Sequence, residues 1–567
     1  MLIDDLREIQ ARHGYLPEEE LKSLSERKGI PLYEAHGVAS FYPHFRLEPP
    51  PEATLRVCTD LTCHLHGACD LLETLRETVD YAGLENWEVS GVSCLGQCDG
   101  APAVSINDRS YRSMSPDRLS NFVARLAEDG RVARQPTRRR ASPGLIDPYG
   151  HPLAAESLKA WVTDGNSDRI LQAVKDSGLC GMGGAGFPTG VKWDLVRKAE
   201  SEVKYAICNA DESEPGTFKD REILYHYPHL VVEGLILGGL VAGANQGYLY
   251  LRHEYDRERE VLEKTIRAFY SEGYLGDGVL NTEHSFHLEI FDSPGGYICG
   301  EETALLEAME GKRAEPRNKP PFPGTHGLHG RPTLINNVET FAWVPAILRR
   351  GAEWFRSQGI NGAAGRKYFA LSGHVNRPGV YEIPLGTRVR DLIDNEGGGV
   401  SGGRKLKAFS PGGTSSGFLP ASMADIPLDF KPLADAGSML GSGAVIVLAE
   451  GTDMVDLALN AVTFFRNESC GKCVPCRTGT EHLVQLLEKV LEGNGRPDML
   501  APVQDVAEAM ELSSICGLGQ AAALPLTSAR MHFPEEFEIL CRQAADRQAD
   551  HQADHQADRT TGGADAQ

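Results

Sequence analysis

Apolar residues recur along the chain either at a helical spacing or in short strand-like runs. The changes between these two patterns divide the chain into segments. Near the start, Ile3, Leu6 and Ile9 keep a helical spacing, which predicts that the first 50 residues are helical. The next segment alternates short apolar runs with helical stretches. It predicts a small α/β domain with strands at 54–59, 87–94 and 103–106 and helices at 68–79 and 115–126.

The larger part of the chain repeats this change of pattern. Strands and helices alternate around glycine-rich turns up to about residue 360, which predicts a doubly wound α/β domain. Shorter strands follow and suggest a β-grasp-like insert, after which helical periodicity returns. We therefore predict a multidomain α/β fold with segments at 1–50, 51–130, 131–150 (a linker), 151–362, 363–450, 451–543 and 544–567 (a disordered tail of Gln-Ala-Asp repeats).

The charge balance narrows the possible partners. With 57 basic and 79 acidic residues the net charge is −22, which disfavours a nucleic-acid partner. The longest apolar run, residues 230–242, is interrupted by Glu233 and several glycines and is too short to span a membrane. The acidic first five residues do not resemble a signal peptide, so we expect a cytoplasmic protein without direct membrane insertion.

Three cysteines stand at two-residue intervals near the end of the chain. Cys470, Cys473 and Cys476 form a Cys-x-x-Cys-x-x-Cys run, and Cys516 follows 40 residues later. Three closely spaced thiolates and a distant fourth are typical of a [4Fe–4S] cluster. A structural zinc site is the alternative, although such sites usually have two Cys-x-x-Cys pairs.

Four further cysteines form two pairs near the start. Cys58 and Cys63 enclose four residues, and Cys94 and Cys98 enclose three, each pair following a predicted strand. Two pairs of this kind suit a [2Fe–2S] cluster, in which each pair holds one iron. Structural zinc or a redox-active disulfide remain alternatives. Cys69 lies outside this pattern, and we expect it to be buried on the following helix.

The centre of the chain carries glycine-rich turns beside acidic residues. The segment 178–193 is rich in glycine and ends near Lys192, which favours the close approach of a phosphate. Carboxylates and an amide cluster at 209–214, and a second glycine turn at 295–303 leads into a helix. Polar groups beside a phosphate-binding loop would suit a flavin, its ribityl chain or a ribose.

These motifs occur in the order found in two subunits of respiratory complex I. Residues 1–128 resemble its thioredoxin-like [2Fe–2S] subunit. Residues 155–535 resemble its FMN- and NADH-binding flavoprotein subunit, including the motifs at 319–323, 336–340 and 468–480. The resemblance implies a thioredoxin-like ferredoxin domain, an FMN- and NAD-binding domain and a helical [4Fe–4S] domain in one chain.

The resemblance also implies a set of cofactor contacts. Hydride would pass between nicotinamide and flavin without an obligatory protein acid or base, with Glu214 and Glu302 near the nicotinamide. The aromatic platform for NAD(H) would be Phe187 and Phe322. The implied contacts with FMN and NAD(H) are Gly181, Gly183, Gly184, Ala185, Gly186, Phe187, Lys192, Asn209, Asp211, Glu212, Ser213, Glu214, Tyr297, Gly300, Glu301, Glu302, Lys319, Phe322, Asn336, Asn337 and Thr340.

Several enzymes use a subunit of this type, and two details favour one of them. Met182 stands where complex I relatives usually have arginine, and the segment 411–430 resembles the β subunits of NAD-dependent formate dehydrogenases. The expected partner is then a larger molybdenum- or tungsten-pterin subunit that oxidises formate. The alternatives are the NADH-dehydrogenase arm of complex I and the diaphorase of an NAD-linked hydrogenase. The N-terminal domain could also be only a docking scaffold.

Overall fold

The computed structural model describes residues 2–130, 132–135 and 144–543. The predicted linker lies partly, and the predicted tail wholly, outside the described residues. Three short helices come first, and Pro17 and Pro31 immediately precede the second and third, where proline is tolerated at a helix start. They are α1 (Leu2–His13), α2 (Glu18–Lys28) and α3 (Leu32–Ala39).

The first sheet has four strands in the order β2-β1-β3-β4, with β1 and β2 parallel and the other pairs antiparallel. Sequence periodicity does not predict β4, which is only three residues long. It forms a hairpin with β3 through Asn107 and Asp108, both at positive φ, as a two-residue hairpin turn requires. The elements are β1 (Ala53–Cys58), α4 (Leu61–Leu65), α5 (Ala68–Tyr81), β2 (Trp87–Val92), β3 (Val104–Ile106), β4 (Arg109–Tyr111) and α6 (Pro116–Asp129).

The central domain is built on a four-stranded parallel sheet in the order β7-β6-β5-β8. The chain moves outward from β5 to β7 and then returns to the other side of β5. Ligands of open parallel sheets bind where the strand order reverses in this way, at the carboxyl ends of the strands. The elements are α7 (Glu156–Asp164), α8 (Ser167–Ser177), α9 (Thr189–Lys198), β5 (Tyr205–Ala210), α10 (Lys219–His226), α11 (Pro228–Ala242), β6 (Gln246–Leu251), α12 (Asp256–Ser271), β7 (His287–Asp292), α13 (Glu302–Met309), α14 (Pro323–His326), β8 (Thr333–Asn337), α15 (Val338–Arg350) and α16 (Ala352–Ser357).

The insert carries a five-stranded mixed sheet in the order β10-β9-β13-β11-β12, in which only β9 and β13 pair in parallel. All six residues of β13 are buried, so this strand forms the centre of the insert. The elements are β9 (Arg366–Gly373), β10 (Gly379–Pro384), α17 (Val389–Asp391), β11 (Leu406–Ser410), β12 (Leu419–Pro420), α18 (Phe430–Asp435) and β13 (Ala444–Ala449).

The last domain is helical and shares one apolar core with the first three helices. Ile3, Leu6 and Ile9 of α1 belong to the same buried cluster as Phe464 and Phe465, so the two ends of the described chain are packed together. The multidomain α/β fold predicted from the sequence is confirmed. The helices are α19 (Met454–Glu468), α20 (Val474–Lys489), α21 (Pro497–Leu500), α22 (Val503–Ser513), α23 (Gly517–Ala521) and α24 (Leu524–His532).

Candidate functional site

A cavity of about 870 Å³ opens at the carboxyl ends of β5 and β8. This volume lies within the roughly 300–1,000 Å³ typical of sites that enclose an organic ligand. The cavity contains much of the predicted contact set, since Asn209 lies next to the last residue of β5, Asn337 ends β8, and the glycine turns lie beside both. The predicted residues that line it are Gly183, Gly184, Ala185, Asn209, Asp211, Glu212, Ser213, Glu214, Tyr297, Gly300, Glu301 and Asn337.

The glycine-rich loop is held in a fixed position against the end of β8 and the first turn of α15. The Gly181 amide donates to the Phe187 carbonyl at 2.8 Å, and the Met182 amide donates to the Thr340 hydroxyl at 2.9 Å. A Cβ added at Gly183 would lie 2.9 Å from the Cβ of Asn337, so a larger residue there would collide with the cavity wall. The loop therefore requires glycine in order to approach the neighbouring strand closely.

Glu214 organises one wall of the cavity. Its carboxylate accepts hydrogen bonds from the Tyr297 hydroxyl at 2.5 Å and from the Ser415 amide at 2.7 Å, and the Ser415 hydroxyl adds a contact at 2.8 Å. Burial raises the pKa of Glu214, and the hydrogen bonds oppose this rise. The carboxylate thus fixes Tyr297 and Ser415, which come from distant parts of the chain, around one point.

Two other acidic residues of the same loop have different surroundings. Asp211 accepts from the hydroxyls of Ser213 and Ser293, both at 2.6 Å, and burial raises its pKa to about 6. The Glu212 carboxylate instead accepts from the Asp220 amide at the start of α10, at 2.9 Å. Glu212 therefore lines the cavity while its side chain stabilises a helix start.

Other predicted contacts lie at the rim or behind the wall. Lys319 contacts Glu301 at 2.9 Å and Glu302 at 3.0 Å, and Lys192 lies 3.5 Å from Glu302. Phe187 and Phe322 are 43% and 58% exposed, so neither is a core residue and both rings are accessible to a ligand. The remaining members do not line the cavity. The Asn336 side chain accepts from the indole of Trp193, Thr340 holds the glycine loop, and a Cβ at Gly186 would meet the ring of Phe430.

The sequence did not indicate the part of the cavity that the insert and the last helices contribute. Gly412 and Ser415 come from the loop after β11, and Ala507 and Leu518 come from the helical domain. A glycine- and serine-rich run at 412–417 was the only available signal, and nothing local relates it to Glu214, about 200 positions earlier.

The four N-terminal cysteines converge beneath this cavity. Cys58, Cys63, Cys94 and Cys98 are 1–4% exposed, and all are free thiols. The sulfur atoms of Cys94 and Cys98 are 3.5 Å apart, and the Cys58 thiol contacts those of Cys63 and Cys94. Four converging thiols without a disulfide form the donor set that a [2Fe–2S] cluster requires.

The four C-terminal cysteines also come together, but closer to the surface. The Cys476 thiol contacts Cys473, and the Cys516 sulfur accepts from the amides of Leu518 and Gly519. A Cβ at Gly519 would lie 2.8 Å from the Cβ of Cys476, so glycine permits the two cysteine segments to approach. Burial raises the pKa of Cys516 to about 12, and iron would have to replace its proton. This donor set fits the predicted [4Fe–4S] cluster.

The expectation that Cys69 is buried is wrong. It lies exposed in the first turn of α5, where its sulfur is 3.5 Å from Nδ1 of His64. Helical periodicity alone did not reveal that Cys69, between the buried Ala68 and Leu71, lies on the exposed face of α5.

Within the described part of the chain, no three His, Cys, Asp or Glu side chains form a site for a single metal ion. The two cysteine sets are of a different kind, because each iron of a [2Fe–2S] or [4Fe–4S] cluster takes only one or two cysteine ligands. None of the described helices is both long and apolar enough to cross a membrane.

Family models match most of the chain in consecutive segments. A thioredoxin-like [2Fe–2S] ferredoxin model matches residues 1–127, and a Nuo51 FMN-binding domain matches 174–346. An SLBB domain matches 368–419, and the iron–sulfur binding region of NADH-ubiquinone oxidoreductase F matches 456–540.

Curated relatives agree with these models. The NADH-quinone oxidoreductase F 2 subunit of Rhizobium meliloti is 45% identical over 397 residues, which cover 69% of this chain and 94% of the relative. The chain belongs to the family of NADH-quinone oxidoreductase F subunits. The corresponding protein of Escherichia coli is 40% identical over 403 residues, or 71% of this chain and 91% of that protein.

A solved structure matches almost the whole chain, including the N-terminal domain. A crystal structure of an NAD⁺-reducing [NiFe]-hydrogenase in the air-oxidized state has a TM-score of 0.84 and 33% identity. The match covers 94% of this chain and 93% of that one. The same enzyme in its H₂-reduced state has a TM-score of 0.85.

This member of the family is an NAD(H)-dependent flavin and iron–sulfur oxidoreductase with FMN, one [2Fe–2S] cluster and one [4Fe–4S] cluster. The glycine loop, Asn209 and Asn337 would hold FMN, which would supply hydride exchange with nicotinamide and single-electron exchange with the iron–sulfur clusters. The chain's own contribution is positional, because its glycine loop, Glu214 and Tyr297 define the cavity wall.

Proposed function

We propose that this chain is the NAD-facing subunit of an NAD-dependent formate dehydrogenase. Formate would be oxidised in a larger molybdenum- or tungsten-pterin subunit, and its electrons would enter this chain at the C-terminal cysteine site and leave as NADH. The proposal concerns the partner, since the NAD(H), FMN and iron–sulfur chemistry belongs to the family as a whole.

The observation that carries the direction of electron entry is the unequal burial of the two cysteine sites. All four N-terminal ligands are buried, whereas Cys470, Cys473 and Cys516 are partly exposed. Two large apolar side chains near them in sequence are strongly exposed, namely Val474 at 60% and Leu512 at 76%. An apolar surface beside a shallow redox centre is suitable for docking another electron-transfer protein.

Two sequence features support formate as the electron source. Met182 departs from the arginine that complex I relatives usually have at this position, and the segment 411–430 is similar to the β subunits of formate dehydrogenases. In the structure Met182 is buried within the glycine loop, where Lys367 donates to its carbonyl at 2.9 Å. Ser415 of the segment 411–430 lines the cofactor cavity and donates to Glu214. Both features therefore belong to the part of the chain that forms or supports the cofactor cavity.

A hydrogenase diaphorase is the second candidate, because the hydrogenase chain matches both the N-terminal and the flavoprotein parts of this one. In that case the partner would carry nickel and supply electrons from H₂. The complex I arm is a third possibility, in which electrons would run from NADH toward quinone.

Purification of the native complex tests these alternatives directly. We expect molybdenum or tungsten in the complex and NAD⁺ reduction that depends on formate. Nickel with H₂-dependent NAD⁺ reduction would replace the proposal by the hydrogenase candidate. NADH oxidation coupled to quinone, without formate activity, would instead favour complex I. NADH:ferricyanide activity should be present in every case and serves as the control for an intact chain.

A further inference from the structure

The loop between Cys94 and Cys98 is packed against the central domain rather than facing solvent. Two arginines of that domain, Arg221 in α10 and Arg252 immediately after β6, reach its backbone, and both are 4% exposed. Neither was indicated by the sequence. Buried arginines normally have several partners that stabilise their charge.

Arg252 joins the two cofactor-binding loops. Its guanidinium donates to the carbonyl oxygen of Cys94 on one side and to that of Glu212 on the other. Its Nε donates to the carboxylate of Glu254 at 2.8 Å, so Glu254 is a counter-charge in direct contact with Arg252. A buried positive charge thus lies directly against a cysteine of the N-terminal cluster and against the loop that lines the flavin cavity.

Arg221 provides a comparison on the same loop. It donates to the Gly96 carbonyl at 2.6 Å and to the side chain of Gln97 at 2.8 Å. It also contacts two carboxylates, Asp99 at 3.1 Å and Glu222 at 2.9 Å. Arg221 is therefore in direct contact with two carboxylates, whereas among the described residues Arg252 is in direct contact with one, Glu254. More distant carboxylates, Asp60 and Asp211, also interact with the charge of Arg252.

Adding an electron to a cluster held by four thiolates increases the negative charge in a buried site. Nearby positive charge and hydrogen bonding stabilise the reduced form and raise the reduction potential. The effect is strong where water is excluded, as it is around the four buried cysteines. Asp60 also lies here and accepts from the Cys94 amide at 2.7 Å, so the loop has an acidic neighbour that Arg252 opposes.

We propose that Arg252 sets the reduction potential of the N-terminal [2Fe–2S] cluster. By raising that potential, Arg252 would let the cluster hold one of the two electrons that NADH oxidation supplies, while the other passes to the C-terminal cluster. The central domain then controls the redox property of the N-terminal domain, which is more than a docking scaffold. The inference does not depend on whether the partner oxidises formate, oxidises H₂ or reduces quinone.

The test is a redox titration of the full-length protein monitored by EPR, with Arg252→Gln compared with wild type. At a fixed solution potential, we expect the ratio of reduced to oxidised N-terminal cluster to fall at least tenfold in R252Q. A tenfold change corresponds to about 59 mV for a one-electron couple. Arg252→Lys keeps the charge and should restore the ratio to within about threefold of wild type. The C-terminal cluster should titrate unchanged in both.

Two further variants separate charge from a purely structural role. Glu254→Gln removes the counter-charge of Arg252 and should raise the same ratio, which a loss of packing would not do. Arg221→Gln removes an arginine in direct contact with two carboxylates and should change the ratio less than R252Q. A wild-type ratio in R252Q with the cluster retained would overturn the proposal. If R252Q does not assemble the cluster, the E254Q variant provides the test. An unchanged or lowered ratio of reduced to oxidised cluster in E254Q would then overturn the proposal.

Discussion

At the scale of single residues, Glu214 connects three parts of the chain at the cofactor cavity. All the groups that face its carboxylate are hydrogen-bond donors, from Tyr297 and Ser415. An amide keeps one acceptor oxygen, which can still face the Ser415 amide, but it carries no charge and its NH₂ group cannot accept from the hydroxyls. Glu214→Gln therefore loses the charge-assisted hydrogen bonds that the Tyr297 and Ser415 hydroxyls donate. Losing one such hydrogen bond costs about 1–3 kcal/mol.

We therefore expect Glu214→Gln to raise the KM for NADH about tenfold while the FMN content remains near that of wild type. The measurement is NADH:ferricyanide kinetics together with flavin quantification. Ser415→Ala is the matched variant, because it removes the hydroxyl and keeps the amide, and it should have a smaller effect. An unchanged KM in E214Q would show that this wall does not position the nucleotide.

The cysteine assignments predict opposite results for two neighbouring thiols. Cys63 is buried among the N-terminal ligands, whereas Cys69 is exposed beside His64. Cys63→Ser should reduce the iron content from roughly six to about four atoms per chain, and Cys69→Ser should leave it unchanged. Iron analysis and the EPR signal of the [2Fe–2S] cluster provide the measurement. Loss of iron in C69S would mean that the ligand set is wrongly assigned.

At the scale of elements, the glycine loop and β8 are in such close contact that one methyl group matters. Gly183→Ala would bring a Cβ to 2.9 Å from the Cβ of Asn337. Such overpacking costs about 1–3 kcal/mol, so we expect FMN binding to weaken by roughly 10- to 100-fold. Flavin fluorescence on reconstitution measures this. Gly37→Ala in α3 has open space around the added methyl and should bind FMN as wild type does.

Helix α11 contains a buried carboxyl group that should make stability depend on pH. Glu233 is 1% exposed, and burial raises its pKa from 4.5 to about 7. A carboxyl whose folded pKa is raised contributes its full stability below pH 4.5 and loses it as the pH rises toward 7. This loss amounts to about 3 kcal/mol for a shift of this size.

Glu233→Gln has no proton to release, and its amide oxygen can still accept from the Leu158 amide, as Oε1 does at 3.0 Å. We expect the variant to unfold at a higher temperature than wild type at pH 8, and the difference to shrink at pH 5. Thermal midpoints at the two pH values test this. The exposed Glu128→Gln on α6 is the control and should follow wild type at both, whereas a pH-independent difference for E233Q would contradict the argument.

At the scale of the whole molecule, the sequence predicted the order of domains and the ligand cysteines because these depend on local spacing. Asn209 and Glu214 belong to a polar cluster that the local sequence indicates, whereas Asn337 was implied by the resemblance to the flavoprotein subunit, and all three line the cavity. Contacts that form between domains could not be predicted in this way. Ser415 reaches Glu214 across 201 positions and Arg252 reaches Cys94 across 158, and no periodicity records such pairings.

The surface that binds the partner subunit is another feature that local sequence spacing does not reveal. The exposed apolar side chains beside the C-terminal cysteines allow its position to be tested. Leu512 lies near the end of α22, four residues before Cys516. Its side chain is 76% exposed, so it contributes little to the packing of the hydrophobic core. Leu512→Glu would place a charge in the surface that we propose for docking. Burying an unpaired charge in an interface costs several kcal/mol.

We expect L512E to lose most formate-dependent NAD⁺ reduction by the complex while its NADH:ferricyanide activity and iron content stay near wild type. Tyr81→Glu is the matched control, since Tyr81 is 96% exposed on α5 of the N-terminal domain and lies away from these cysteines in the sequence. If L512E retained full formate-dependent activity, electrons would have to enter elsewhere. Leu512 is close in the sequence to the partly exposed Cys516, whereas Tyr81 is not. An equal loss of activity in both variants would therefore show an effect of the added charge itself and not of a blocked docking surface.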